Sequence, residues 1–327
     1  MSARLLAVVN TVLFFILIFI LIRPQIQARS QVSGKIAYAL TPYALPIWVA
    51  ADNGYFDSLK VDVALDLQIR RADEVELVAN GASQFSGGTL FETFIPAIVR
   101  RAHVYRLFTV FQSTRTEPQT ALIARRGIRK PTDLKGKRVG YWDQTRDDEL
   151  LRQFLEAEGI PPRSVSLIPL TFTEIAHALE KNRVDAVLAY EPWRTYYQQQ
   201  KGVRVLEDGF LENRLHTPLL LGTLYTSMLN LQLNRAATDR IGRALNMALS
   251  FIRSNPDSAR NILVRHLLES DSTLTVPDSF PLPKFQTYRE LEPSILKAFV
   301  QRLREVNLLL VEEFPTDSLI PPAELFR

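Results

Sequence analysis

Four short turns hold most of the residues in this sequence that could bind or act on a small molecule. They are Thr41-Pro42-Tyr43, Ser86-Gly87-Gly88-Thr89, Trp142-Asp143-Gln144-Thr145 and Tyr190-Glu191-Pro192-Trp193. Each follows a run that reads as a β-strand. Hydroxyls and backbone N–H groups at a strand's carboxyl end point outward there and attract carboxylate, sulfonate or phosphate oxygens; ordinary capping and turn chemistry also uses such residues. Tyr43, Trp142, Tyr190 and Trp193 add flat faces for a planar or apolar ligand body, with core packing as the plainer role for Trp193. Asp143 and Glu191 would complement an amine or a ring N–H, although a solvated turn acid is the simpler reading of Asp143. Arg115 and Arg146 offer bidentate partners to an anion, or merely exposed surface. Two ligand chemistries stay open on these residues, one anionic and one nitrogen-bearing.

Signals of catalysis are missing. The sequence has no GxGxxG, no phosphate loop, no HExxH and no GxSxG. The string from Ser294 to Lys297 matches S-x-x-K, but it stands inside an amphipathic helical pattern without the companion motifs and is read as coincidence. His103, His177, His216 and His266 include no pair at ligand spacing, so no metal site is expected. The absence of cysteine removes disulfides, thiolate zinc sites and a lipid-bearing cysteine. No cofactor and no catalytic residue are expected.

The elements that must position the four turns alternate in type. Strands are predicted over Lys35 to Leu40, Val61 to Leu67, Gln84 to Ser86, Lys137 to Trp142, Ser164 to Leu170 and Val184 to Tyr190. Helical patterns lie between them: one ends at Gly54, one covers 73 to 80, one runs from Thr89 to Arg101, and one from Glu149 to Glu158 stops at Gly159. Thr89 with Glu92, and Thr171 with Glu174, have the T-x-x-E spacing of a capping box. After His216 a return strand is followed by mostly helical sequence, including Arg240 to Ser254 and Ser294 to Glu313. This grammar predicts an α/β fold of two lobes around a ligand cleft. The expected divisions are 1–30 as signal anchor or signal peptide with linker, 31–115 as the first part of lobe 1, 116–214 as lobe 2, and 215–327 as the C-terminal part of lobe 1.

Leu5 to Ile22 carries no charge over its whole length and suits hydrocarbon, either as a retained single-pass anchor or as a signal segment cleaved near Ser30. Export follows from either. Of the 39 Lys and Arg, three (Arg4, Arg23 and Arg29) stand in the first 30 residues without an acid. The remaining chain is within one charge of neutral against its 35 acids, which gives no footing for nucleic acid. A total of 327 residues, 46% hydrophobic and 23% charged, is enough for a substantial core and is not a disordered composition.

The strings TPYALPIWVAADNGYFDSLKVDVAL, DLKGKRVGYW and RQFLEAEGIPPRSVSLIPLTFTEIAHALEKNRVDAVLAYEPW together resemble, in order and spacing, the SsuA/THI5-like (NMT1; nitrate/sulfonate/taurine) solute-binding family. The resemblance covers roughly residues 35 to 210. It implies a type II periplasmic-binding fold, an ABC permease and ATPase as partners, a monomeric receptor outside the cytoplasm, and ligand contacts at the segments matching the four turns. The chain departs from the family in having no lipid-anchoring cysteine. It also lacks the Cys-rich motif of the pyrimidine-forming enzymes that share the fold. On this reading the protein delivers a sulfonate, nitrate, taurine or thiamine-pyrimidine type of molecule to an importer. A membrane-tethered sensor, or an enzyme of the pyrimidine or menaquinone type, is the alternative.

Overall fold

The computed structural model describes residues 31–67, 71–311, 313–321 and 326. The apolar segment Leu5 to Ile22 lies outside them, and among the described residues no helix is long and apolar enough to cross a membrane.

Eleven strands form in chain order: β1 (Val32–Tyr38), β2 (Val61–Leu67), β3 (Phe85–Leu90), β4 (Tyr105–Ser113), β5 (Thr120–Arg125), β6 (Arg138–Trp142), β7 (Ser166–Leu170), β8 (Ala186–Tyr190), β9 (Val203–Asp208), β10 (Leu219–Ser227) and β11 (Lys284–Thr287). They make two sheets, ordered β11-β4-β10-β3-β1-β2 and β7-β6-β8-β5-β9. In the first, β1 runs parallel to β2 and β3, with Val32 opposite Val61 and Ile36 opposite Phe85. The returning β10 lies antiparallel between β3 and β4. In the second, β6 is parallel to β7 and β8, and β5 is antiparallel to both β8 and β9.

Burial explains which strands are central. LLLGTLYTS of β10 and AVLAY of β8 are buried at every position, as befits strands covered on both faces. VDVALDL of β2 stands at a sheet edge and leaves Leu65 and Leu67 exposed. The longest helix, Arg235–Ser254, buries Ile241, Ala244, Leu245, Ala248, Leu249 and Ile252 along one stripe of its surface. Each such Leu or Ile contributes roughly 1.5–3 kcal/mol on burial.

Three expectations from the sequence change here. Thr89 does not cap a helix: β3 runs on through Leu90, the helix is Phe91–Ile98, and its N-cap Leu90 makes no side-chain bond. Thr171 and Glu174 do form the reciprocal capping box, but the helix they start is only Phe172–Ile175 and passes into turns. The C-terminal helix is Pro293–Glu305 rather than reaching Glu313.

Candidate functional site

Two of the four turns are laced together by the adjacent parallel strands β1 and β3. The Ala39 N–H donates to Gly87 O at 3.1 Å, and the Thr41 hydroxyl donates to Gly88 O at 3.4 Å. Thr41 Oγ1 also accepts from Tyr43 N–H at 3.3 Å, so it caps the single helical turn Pro42–Ala44. This approach requires glycine. A Cβ on Gly87 would stand 2.3 Å from Ile47 Cδ1, and one on Gly88, whose φ is +88°, would stand 2.8 Å from Thr41 Oγ1. The hydroxyls flanking the pair turn inward, for Ser86 and Thr89 donate to Oε2 of the fully buried Glu74 at 3.0 and 2.8 Å. The Tyr43 ring stacks on Phe111, 5.6 Å between centroids.

The other two turns end the parallel strands β6 and β8. Trp142 is buried and meets Tyr190 edge-on at 5.2 Å. Thr145 closes its own turn by donating to Trp142 O at 2.7 Å and accepting from Asp147 N–H at 3.1 Å. Asp143 is exposed, its N–H donating to Leu170 O. Gln144 faces the first sheet, where its carbonyl accepts from the Thr93 hydroxyl at 3.4 Å. Glu191 is occupied locally: it accepts from Arg194 at 2.8 Å and from the Thr195 N–H and hydroxyl at 3.1 and 2.9 Å. Burial pushes the Glu191 carboxyl up, with Arg194 and Thr195 opposing. Arg194 in turn holds Asp208 with two bonds of 2.7 Å. Trp193 is fully buried against Phe172, and its indole N–H has no partner among the described residues.

Two of the other turns reach Tyr190, through Trp142 and Tyr43. Its hydroxyl donates to both carboxylate oxygens of the buried Asp147, at 2.9 and 3.0 Å. Burial pushes this phenol well above the usual tyrosine range, and Asp147, Glu92 and Tyr43 add to the rise. Tyr43 and Glu92 belong to the first sheet's side and Asp147 and Tyr190 to the second. The Tyr190–Asp147 pair on the second sheet's side is thus near enough to Tyr43 and Glu92 to feel them electrostatically, and all four side chains are at most 3% exposed. Arg115 and Arg146 lie outside this group. Arg115 donates to Glu212 O at 3.3 Å, while Arg146 pairs with Glu149 and reaches Leu308 O at 2.7 Å.

Sequence reasoning missed Glu92, Asp147 and Glu212. Glu92 reads as a capping-box acid and Asp147 as the end of a polar turn; only their burial shows otherwise. Glu212 stands where the chain crosses between the sheets. Its carboxylate accepts from Ser113 Oγ at 2.7 Å, Gln119 N–H at 2.8 Å and Thr120 Oγ1 at 2.6 Å, and so ties the outgoing crossing, 113–120, to the returning one. Among the described residues no three His, Cys, Asp or Glu side chains form a group able to hold a metal ion.

Two sheets of mixed direction, crossed twice by the chain, with turns at the strand ends meeting at their interface, define the periplasmic-binding-protein class of fold. The periplasmic aliphatic sulphonate binding protein SsuA from Escherichia coli superposes with a TM-score of 0.61 at 16% identity, over 89% of this chain and 98% of that one. Residues 41–259 match the family model described as NMT1/THI5 like, and the chain belongs to that family. A formylaminopyrimidine-binding protein from Halalkalibacterium halodurans is 24% identical over 270 residues, covering 80% of this chain and 74% of that protein. A 4-amino-5-hydroxymethyl-2-methylpyrimidine phosphate synthase from Schizosaccharomyces pombe is 29% identical over 156 residues, 46% of this chain and 42% of the enzyme. The chain thus spans less than half the length of that enzyme.

Proposed function

We propose that this protein is an extracytoplasmic solute-binding protein of an ABC importer, which closes on a small nitrogen-bearing organic molecule and passes it unchanged to a permease and its ATPase. The observation that carries the ligand class is the cluster of Tyr43, Glu92, Asp147 and Tyr190 between the sheets. Its carboxyl oxygens suit amino and ring N–H groups, and its phenols together with Trp142 suit a flat ring. A sulfonate or nitrate placed there would face two acids. The ligand named for the Halalkalibacterium halodurans relative, a formylaminopyrimidine, has the favoured chemistry. Thr41, Pro42, Tyr43, Ser86, Gly87, Gly88, Thr89, Trp142, Asp143, Gln144, Thr145, Tyr190, Glu191 and Trp193 remain the proposed site. Within it the backbone of the Gly87-Gly88 turn and the rings do the contacting, while Ser86, Thr89 and Glu191 hold the turns in place.

The test is calorimetric titration of the purified protein with aminopyrimidines, alkanesulfonates, taurine and nitrate, followed by mass spectrometry of the recovered ligand. Saturable binding of an aminopyrimidine that is recovered intact is the expected outcome. Preference for a sulfonate or nitrate overturns the ligand class, and consumption of the bound molecule overturns transport in favour of catalysis.

A further inference from the structure

A cavity of about 420 Å³ lies on the second sheet, away from the four turns. Arg125, Arg126 and Gly127 line it at the end of β5, Leu179 and Glu180 on one side, and Tyr197 and Gln200 to Val203 on the other. Its volume falls in the range of pockets that hold small molecules, roughly 300–1,000 Å³. Ala124, just before it, pairs with Ala186 at the start of β8, whereas Tyr190 ends that strand. The cavity and Tyr190 therefore sit at opposite ends of β8, roughly 17 Å apart along the strand at ~3.3 Å per residue.

The walls have one-sided chemistry. Arg125, Arg126 and Lys201 bring three cations, and Glu180 is the acid among the lining residues. Glu180 is engaged by the Tyr196 hydroxyl. Arg125 donates through Nη2 to Leu179 O at 2.8 Å, while its buried Nε has no partner among the described residues. The Tyr197 hydroxyl is already committed to Ile175 O at 2.6 Å, so its ring serves as wall rather than donor. Leu179, Val203 and that ring supply the apolar part.

We propose that this cavity is a second ligand site, for a small organic carboxylate whose apolar body packs on Leu179, Val203 and Tyr197 and whose charged head meets Arg125 Nε, Arg126 and Lys201. A guanidinium with a buried unsatisfied N–H gains a charge-assisted bond from such a head, and two exposed cations at the rim steer and hold it. The site takes the opposite charge from the one proposed between the sheets and does not depend on it.

The experiment is titration of the full chain with benzoate, with neutral benzamide as control, read by calorimetry and by the chemical shifts of the Gly127 and Gly202 amides. Benzoate binds and benzamide does not. The double variant Arg126→Ala/Lys201→Ala, altered at exposed positions only, binds benzoate about tenfold more weakly, as expected for the loss of two exposed ion pairs at up to about 1 kcal/mol each. Tyr190→Phe leaves benzoate binding unchanged. Equal binding of benzamide, an undiminished affinity in the double variant, shifts confined to the Tyr190 side of the sheet, or no saturable binding of benzoate would each overturn the proposal. None of these results bears on what the interface between the sheets binds.

Discussion

Replacing Glu212 with alanine should weaken the crossing between the sheets more than any exposed substitution could. The change strands three buried donors: the Ser113 and Thr120 hydroxyls and the Gln119 N–H. The hydroxyls can rotate toward other acceptors, whereas the backbone N–H cannot. At about 1–3 kcal/mol for each unsatisfied buried donor, the gross loss exceeds what is recovered by no longer burying a charge, and the net cost is roughly 2–4 kcal/mol. For a chain of this size that lowers the thermal midpoint by about 3–6 °C. Glu212→Gln keeps one carbonyl oxygen for Ser113 and Gln119 and buries no charge, so at neutral pH it should stay within about 1 kcal/mol of the parent.

The pH profile separates this account from plain packing. Burial raises the Glu212 carboxyl above its usual value, although Thr120, Gln119 and Ser113 pull the other way. A carboxyl raised in the folded state favours folding most when protonated. Its contribution is fully present below the unfolded value, about 4.3, and is lost as pH rises through the folded one. Urea unfolding across this range should show the parent losing stability relative to Glu212→Gln as pH increases. The reasoning fails if that difference is flat or runs the other way, or if Glu212→Ala lies within about 1 kcal/mol of the parent.

Gly88→Ala should cost about 1–3 kcal/mol and weaken ligand binding, because φ there is +88° and the new Cβ would press on Thr41 Oγ1 and Ala39 O; denaturation and calorimetry measure the two effects. Tyr190→Phe removes the donor shared by both Asp147 oxygens and should lower stability by roughly 1.5–3 kcal/mol without ligand, a loss that urea unfolding would reveal. Arg146→Ala with Gln153→Ala deletes bonds of 2.7 and 2.6 Å to the carbonyls of Leu308 and Val306, which join the second sheet's helix Asp147–Ala157 to the C-terminal segment. The radius of gyration of this unliganded variant in solution scattering should exceed the parent's; an unchanged radius refutes a closing role for these bonds.

The sequence made the order of elements legible because β8 is a continuous apolar run, β10 opens on three leucines, and the glycines after the early helices mark their ends. It also located the turns, since AYEPW and GYWDQT each place aromatics beside turn-forming residues. What it hid was the commitment of polar side chains. Thr89 followed by Glu92 satisfies the capping spacing, yet Glu74, fifteen residues earlier in the chain, takes the Thr89 hydroxyl because strand pairing carries β3 one residue past it. Glu191 reads as a ligand acid from its turn but is bound by Arg194 three residues on. The sequence leaves both an anionic and a nitrogen-bearing ligand open for the same reason: backbone N–H groups at strand ends are visible in it, whereas buried acids such as Glu92 and Asp147 are not.

On the proposed function, the contacts between the sheets divide the work of closing and choosing. The Thr93 hydroxyl bonds Gln144 O, Gln119 bonds Pro281 O at 3.3 Å, and Arg146 and Gln153 bond Leu308 O and Val306 O. All four end on backbone carbonyls, which any closed form offers whatever the ligand. At about 0.5–1.5 kcal/mol net each they supply a few kcal/mol toward closure. Driving an open population of 99:1 to a closed one of the same ratio takes about 5.5 kcal/mol of differential binding. These bonds are part of the balance that holds without ligand, so the differential binding must come from the ligand's own contacts. Discrimination then falls to the groups whose energy does depend on the ligand, namely Tyr43, Glu92, Asp147 and Tyr190. On that proposal, a molecule that sets a negative charge against those acids should bind more weakly than one that offers them N–H groups.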